Sequence, residues 1–123
     1  MKLRLRENSI RLRLQVGEVA QLRETGSVSE KIRFSPAQAL SYKIRIEESA
    51  DEISSGIKNG EVFINVPGYL ARPWLDTDQV GIAGVQVINE ELSLKILIEK
   101  DFKCLTPRAD EVDMFPNPKE VHA

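Results

Sequence analysis

Cysteine and histidine each occur once in the 123 residues, as Cys104 and His122. A single cysteine excludes an internal disulfide framework and any multi-cysteine zinc site. With no histidine nearby to activate it, Cys104 is expected to be a buried, inert thiol. His122 stands one residue from the end, which leaves a Ser-His-Asp relay almost without material. No apolar run approaches the roughly 20 residues needed to span a bilayer. Residues 1–14 alternate leucine with charge, unlike the continuous apolar core of a signal peptide. Charge of neither sign dominates: 17 Lys and Arg against 19 Asp and Glu give a net −2. That excludes a generally cationic nucleic-acid binder, though not a local basic site, so nucleic acid is not the expected partner. Gly81 and Gly84 lack the third glycine and the following helix of a dinucleotide loop, and read instead as a bulge or bend. Asp76-Thr77-Asp78 and the acidic run 110–113 lack the spacing of a helix-loop-helix calcium loop and read as caps or solvated turns. Aromatics make up 6% of the chain without regular basic–aromatic interleaving, so Tyr69 and Trp74 read as core anchors. No catalytic residue, metal ligand or cofactor is assigned on this basis, and a soluble, non-membrane, cytoplasmic domain is the expectation.

What is present is alternation. The chain is 41% hydrophobic and 29% charged, an ordinary globular composition for one domain. Lys2-Leu3-Arg4-Leu5-Arg6 and Ile10-Arg11-Leu12-Arg13-Leu14 have the period of half-buried strands, with leucine on one face and cations on the other. A two-residue loop at Asn8-Ser9 sets Leu5 opposite Leu12, Arg4 opposite Arg13 and Arg6 opposite Arg11. Residues 15–24 carry a short helical stripe of Val16, Val19, Ala20 and Leu22, closed by Thr25-Gly26. Strands follow at 28–34, with Ile32 and Phe34 inward, and at 42–48, with Tyr42, Ile44 and Ile46 inward. One helical turn opened by Pro36 is expected between them. The second half repeats the order: strands at 53–58 and 61–66 around Asn59-Gly60, then a short helix over 67–76 packing Leu70, Trp74 and Leu75. Pro73 is expected to split that helix or delay its start. A last hairpin spans 82–88 and 92–98 around Asn89-Glu90.

The two stretches 2–48 and 53–98 therefore match in element order and nearly in length, which points to a pseudo-two-fold duplication within a single domain over 1–105. The fold class expected is α+β: about eight short antiparallel strands in a strongly curved sheet or closed barrel, with two short covering helices. Residues 106–123 carry no periodic pattern and read as an extended carboxy-terminal arm.

Charge is distributed unevenly. Residues 1–46 hold 10 basic and 4 acidic side chains (+6), and residues 47–123 hold 7 and 15 (−8). Lys2, Arg4, Arg6, Arg11, Arg13, Lys31, Arg33, Lys43 and Arg45 all take strand positions opposite the apolar face. With Arg33 set against Lys43 and Lys31 against Arg45, four like-charged pairs face each other, each costing on the order of 0.2–1 kcal/mol. Three arrangements offset that cost: a solvated outer face, acids from the other half or the arm lying over the cations, or an anion site. Arginine suits the last, because its planar fork binds two phosphate oxygens together. The expected partner is accordingly a protein or a phosphate-bearing ligand, with Arg4, Arg6, Arg11, Arg13, Lys31, Arg33, Lys43 and Arg45 as the candidate anion-binding set.

The stretches Asn8–Leu14, Asp78–Ile82, Leu94–Leu105 (Leu-Lys-Ile-Leu-Ile-Glu-Lys-Asp-Phe-Lys-Cys-Leu) and Phe115-Pro116-Asn117-Pro118 resemble a small family of bacterial proteins of unknown function, nearly along the whole chain. The resemblance implies a stand-alone bacterial cytoplasmic protein and carries over no activity. A remoter similarity is to the triphosphate tunnel enzymes, whose barrels bind triphosphate with cations on alternating strand positions and hold magnesium with inward glutamates. That similarity implies a metal-dependent phosphohydrolase acting on a nucleotide or polyphosphate, with Glu47, Glu99 and Asp101 as carboxylates. The family's opening Glu-x-Glu-x-Lys is absent, with Lys2-Leu3-Arg4-Leu5-Arg6 near its place.

Overall fold

Period-two alternation produces strands wherever it occurs in the computed structural model, which describes residues 1–102 and residue 115. Strands β1 (Lys2–Arg6) and β2 (Ser9–Leu14) form the first hairpin, and Ile10, Leu12 and Leu14 are buried while Arg11 and Arg13 face away from the core. Helix α1 (Val16–Thr25) follows. Glu18 reaches back to accept the Gln15 backbone N–H at 2.9 Å, which caps its start. Gly26, at φ +82°, ends it by donating to the Leu22 carbonyl at 2.9 Å. Val19 and Leu22 are its buried residues; Val16 is exposed, so the apolar stripe is narrower than expected.

Strands β3 (Ser27–Ser35) and β4 (Gln38–Glu47) turn tightly at Pro36-Ala37 without a helical turn. Strands β5 (Ser54–Lys58) and β6 (Glu61–Pro67) turn at Asn59-Gly60, both with positive φ, as that dipeptide requires. Helix α2 (Gly68–Asp76) then runs unbroken through Pro73, its sixth residue, which lacks the N–H that would otherwise bond back to the Tyr69 carbonyl. Strands β7 (Gly81–Val87) and β8 (Ser93–Lys100) complete the fold.

Eight strands and two helices make an α+β fold, but they divide into two four-stranded sheets, β1-β2-β8-β7 and β3-β4-β6-β5. One curved sheet or a closed barrel does not form, and the arrangement is not wholly antiparallel, since β2–β8 and β4–β6 pair in parallel. The helices are the reason. Each carries the chain from one sheet to the other, so the last hairpin returns to the first sheet beside β2, running in the same direction. At the seams, side chains replace ladder hydrogen bonds. The Ser55 hydroxyl donates to Gln86 Oε1 at 2.6 Å, and Gln86 Nε2 donates to the Ser55 carbonyl at 3.2 Å. At the other seam, Tyr42 donates through its hydroxyl to the Met1 carbonyl at 2.9 Å, and the Met1 amino group bonds Glu18 and Glu30.

Both hairpins of the first half take registers other than those expected. In the first, Glu7 supplies the positive φ and the loop is Glu7-Asn8, because the Asn8 side chain donates to the Ser93 carbonyl at 2.7 Å. Leu3 faces Leu12 and Arg4 faces Arg11. In the second, Pro36 sets the turn, and Lys31 faces Ser41 while Ser29 faces Lys43. Both shifts are even-numbered, so every side chain keeps its face.

The registers of the two sheets correspond. Moving β1 and β2 on by 52 positions, and β3 and β4 by 54, turns Leu3↔Leu12 into Ser55↔Ile64 and Val28↔Ile44 into Ile82↔Ile98. The parallel pair Ile10↔Ile96 likewise becomes Val62↔Tyr42. The inward faces of both sheets share one core, closed by Val19 and Leu22 from α1 and by Ala71, Trp74 and Leu75 from α2. The outward faces therefore look away from each other. The expected arm, 106–123, lies outside the described residues apart from Phe115, which is exposed.

Candidate functional site

The cations project away from the core as the alternation requires, but the two sheets share them out. Lys2, Arg4, Arg6, Arg11 and Arg13 stand on the outward face of the β1-β2-β8-β7 sheet. Lys31, Arg33, Lys43 and Arg45 stand on the outward face of the other. One continuous cationic surface is not formed. The like-charged pairs that do form are Lys2↔Arg13 and Arg4↔Arg11, both in the first hairpin.

On that hairpin the cations enclose a concavity of about 200 Å³ lined by Lys2, Arg4, Arg11 and Arg13, and a neighbouring one of about 250 Å³ lined by Arg4, Arg6, Ser9 and Arg11. Parallel pairing places the end of β8 next to β2, with Glu99 beside Arg13. Glu99 Oε1 accepts from Arg11 Nε at 2.5 Å and from Arg13 Nε at 3.4 Å, and Asp101 pairs with Lys2 at 3.2 Å. Acids from the second half thus lie among cations of the first. Burial alone would raise the Glu99 pKa, but hydrogen bonds and charge from Arg11 and Arg13 outweigh it and hold the carboxyl below its ordinary 4.5. Glu30 is also lowered, first by its bond to the Met1 amino group and further by the Tyr42 hydroxyl. Burial and the bond to Glu30 push Tyr42 up to about 12.

Both carboxyls bind protons less readily folded than unfolded. Their contribution to stability is complete above the unfolded pKa and is lost as the pH falls through the folded one. Urea melts should show little change from pH 7 down to about 5, then a falling midpoint below roughly 4.5. A Glu30→Gln, Glu99→Gln double variant should show a flatter acid limb, and an unaltered limb would mean that other acids govern it.

The outward face of the second sheet is built differently. Arg45 Nε donates to Asn65 Oδ1 at 2.9 Å and pairs with Glu47 at 3.2 Å, and its guanidinium lies 5.6 Å from the centre of the Phe63 ring. Phe63 reaches across to β5, where Gly56 leaves room; a Cβ there would stand 2.6 Å from Phe63 Cζ. Lys58, opposite Glu61, adds a cation in the neighbouring outward row. Lys31, Ser41, Arg45, Lys58, Asn59, Glu61 and Phe63 border an open groove of about 630 Å³. Lys31, Arg33, Lys43 and Lys58 form no ion pair among the described residues.

Lys58 and Phe63 are the site residues that sequence reading missed. They follow the basic half of the chain, and only the parallel β4–β6 pairing places Phe63 beside Lys43. The carboxylates named for a metal do not converge: Glu47 is tied to Arg45, Glu99 to Arg11 and Arg13, and Asp101 to Lys2. Among the described residues, no three His, Cys, Asp or Glu side chains are grouped to hold a metal ion. Nor do the cations point into a tunnel, because the space between the sheets is filled by the core. Gly81 and Gly84 mark close approach within a regular strand: a Cβ on Gly84 would collide with Ile53. Cys104, His122 and the acidic run 110–113 lie outside the described residues.

Fold and faces together define a two-sheet α+β domain bearing separate cationic strand surfaces. The chain matches the family of unknown function DUF7009 over residues 1–119 and belongs to that family. No curated protein and no solved structure matches it. Among the described residues, no helix is long and apolar enough to cross a membrane.

Proposed function

We propose that this is a small non-enzymatic domain of the bacterial cytoplasm that binds a phosphate-bearing ligand on the outward face of the β1–β2 hairpin. The observation carrying this reading is the concavity of about 200 Å³ lined by Lys2, Arg4, Arg11 and Arg13. Three arginines in one depression offer several two-pronged donors to a tetrahedral anion. Glu99 then acts as the resident anion, holding Arg11 and Arg13 in place at the cost of competing with the ligand. The correspondence of registers between the sheets supports reading 2–48 and 53–98 as descendants of one ancestral unit. The cations lining the concavity, Lys2, Arg4, Arg11 and Arg13, meet Ser54, Gly56, Phe63 and Asn65 at the matching outward positions of the second copy, and only Arg6 has a cationic counterpart, Lys58, so the anion site belongs to one repeat alone.

Pyrophosphate at about 100 times its dissociation constant should stabilise the protein by about 2.7 kcal/mol. The shift in thermal melting should disappear in an Arg4→Ala, Arg11→Ala double variant. An unmoved melting curve with pyrophosphate, triphosphate and sulfate would rule the site out. Phosphate release in the presence of magnesium or manganese would instead favour the phosphohydrolase reading.

A further inference from the structure

We infer that the outward face of the β3-β4-β6-β5 sheet binds single-stranded nucleic acid, with one base stacked on Phe63 and the backbone running over the surrounding lysines. This is a different face from the phosphate concavity and stands independently of it. Its components come from four strands. Lys31 belongs to β3, Lys43 and Arg45 to β4, Phe63 to β6 and Lys58 to β5. Lys31 and Lys58 end one cross-strand row, with Ser41 and Glu61 between them, three strand spacings or about 14 Å apart, and Phe63 stands in the next outward row between Lys43 and Gly56. That separation exceeds the reach of one phosphate group. It suits a chain that repeats an anion and a planar ring in every unit, as a single strand does and an acidic peptide does not.

The ring is prepared for this role. Gly56 removes the side chain that would otherwise collide with it, and the Arg45 guanidinium, held by Asn65 and Glu47, lies over the ring 5.6 Å from its centre, so that a base can stack on the planar guanidinium as well as on the ring. The groove is open, so a strand can cross it without first passing through an opening. Five cations (Lys31, Arg33, Lys43, Arg45 and Lys58) face two glutamates (Glu47 and Glu61), leaving this surface at +3 on a chain of net −2. Binding by such a surface is electrostatic in strength and sequence-tolerant, and it falls with salt.

The test is fluorescence anisotropy of the intact protein at low salt with a labelled oligothymidylate of about twelve nucleotides, alongside an abasic strand of equal length. Saturable binding to oligothymidylate is expected, with the abasic strand about 5- to 150-fold weaker. Phe63→Leu should reduce oligothymidylate binding towards the abasic level and leave the abasic strand unaffected. Lys31→Ala with Lys43→Ala, both at exposed or half-buried strand positions, should weaken both probes and reduce the salt dependence. Lys95→Ser, on β8 of the other sheet, should change neither. Equal affinity for the two probes, indifference to Phe63→Leu in a variant folded by circular dichroism, or no saturable binding would overturn the inference. Loss of oligothymidylate binding in Lys95→Ser would overturn it too, by moving the site to the other face. A protein that binds oligothymidylate in a Phe63-dependent way but shows no melting shift with pyrophosphate would refute the phosphate concavity and leave this inference standing.

Discussion

Replacing Glu99 with Gln should lower stability by about 1.5–3 kcal/mol, the usual worth of hydrogen bonds to a charged group, and at the same time tighten anion binding on the same face. The carboxylate is the hub of the first hairpin's outward surface, accepting from Arg11 at 2.5 Å and Arg13 at 3.4 Å. An amide keeps its shape but not its charge. Arg11 and Arg13 then lose the anion they share, while Asp101 stays paired with Lys2 at 3.2 Å. An incoming phosphate then meets one like charge fewer within a few ångströms, an interaction of about 1–4 kcal/mol at surface-like dielectric values. Affinity for pyrophosphate should rise by about tenfold or more, equivalent to roughly 1.4 kcal/mol. Urea melts of both proteins, with and without pyrophosphate, separate the two effects: the variant starts lower and recovers more. A variant as stable as the parent would show that water satisfies these arginines. A variant that binds pyrophosphate more weakly would show that Glu99 shapes the site and does not compete for it.

The faces of the strands were legible because burial imposes a period of two. Ile10, Leu12 and Leu14 are buried and Arg11 and Arg13 are not, as their alternation requires. Register was not legible in the same way, since a shift of two or four residues leaves every face unchanged. What fixes the first hairpin is a hydrogen bond from Asn8 to Ser93, 85 positions away, which no local pattern announces. The same limit applies to sheet membership. Each half of the chain gives one hairpin to each sheet, so cations that share a parity along the sequence end on faces pointing in opposite directions.

Parity also overstates burial where a strand outruns its partner sheet. Ile32 and Phe34 have inward positions, yet they are 45% and 70% exposed near the end of the β3–β4 hairpin. Leu5 and Ile57, at corresponding positions of β1 and β5, are exposed in the same way. The core thus lies toward the ends of the strands that join the helices, where Leu14, Val28, Val66 and Ile82 are buried, and thins toward these hairpin turns. Phe63 shows the converse. An apolar residue on the outward parity looks like an error in a strand pattern, but the structure sets it over a glycine and among cations. The signal available in the sequence was that mismatch of parity. Its meaning depended on the parallel β4–β6 pairing.

Trp74→Ala should be among the most damaging single changes, costing about 3–5 kcal/mol, a large share of the roughly 5–15 kcal/mol by which domains are stable. Trp74 is 1% exposed and is the largest fully buried side chain. Its indole N–H donates to the Val80 carbonyl at 3.0 Å, which ties α2 to the segment entering β7, and Lys100 Nζ stands 5.6 Å from the ring. Truncation therefore leaves a cavity between the helix and the sheets and also removes one of the two donors to the Val80 carbonyl, which keeps the Lys100 backbone N–H at 3.0 Å. Because Trp74 is the only tryptophan, unfolding of the variant has to be followed by far-ultraviolet circular dichroism, with a lower urea midpoint expected at an unchanged slope. Trp74→Leu separates the two contributions. Leucine stands at the corresponding position of α1, as Leu22, also buried. If packing dominates, leucine should recover most of the loss. If the bond to Val80 dominates, leucine should fare little better than alanine. A Trp74→Ala protein within about 1 kcal/mol of the parent would contradict the placement of α2 as the cover of this core, since a closed cavity of that size has no inexpensive way to collapse.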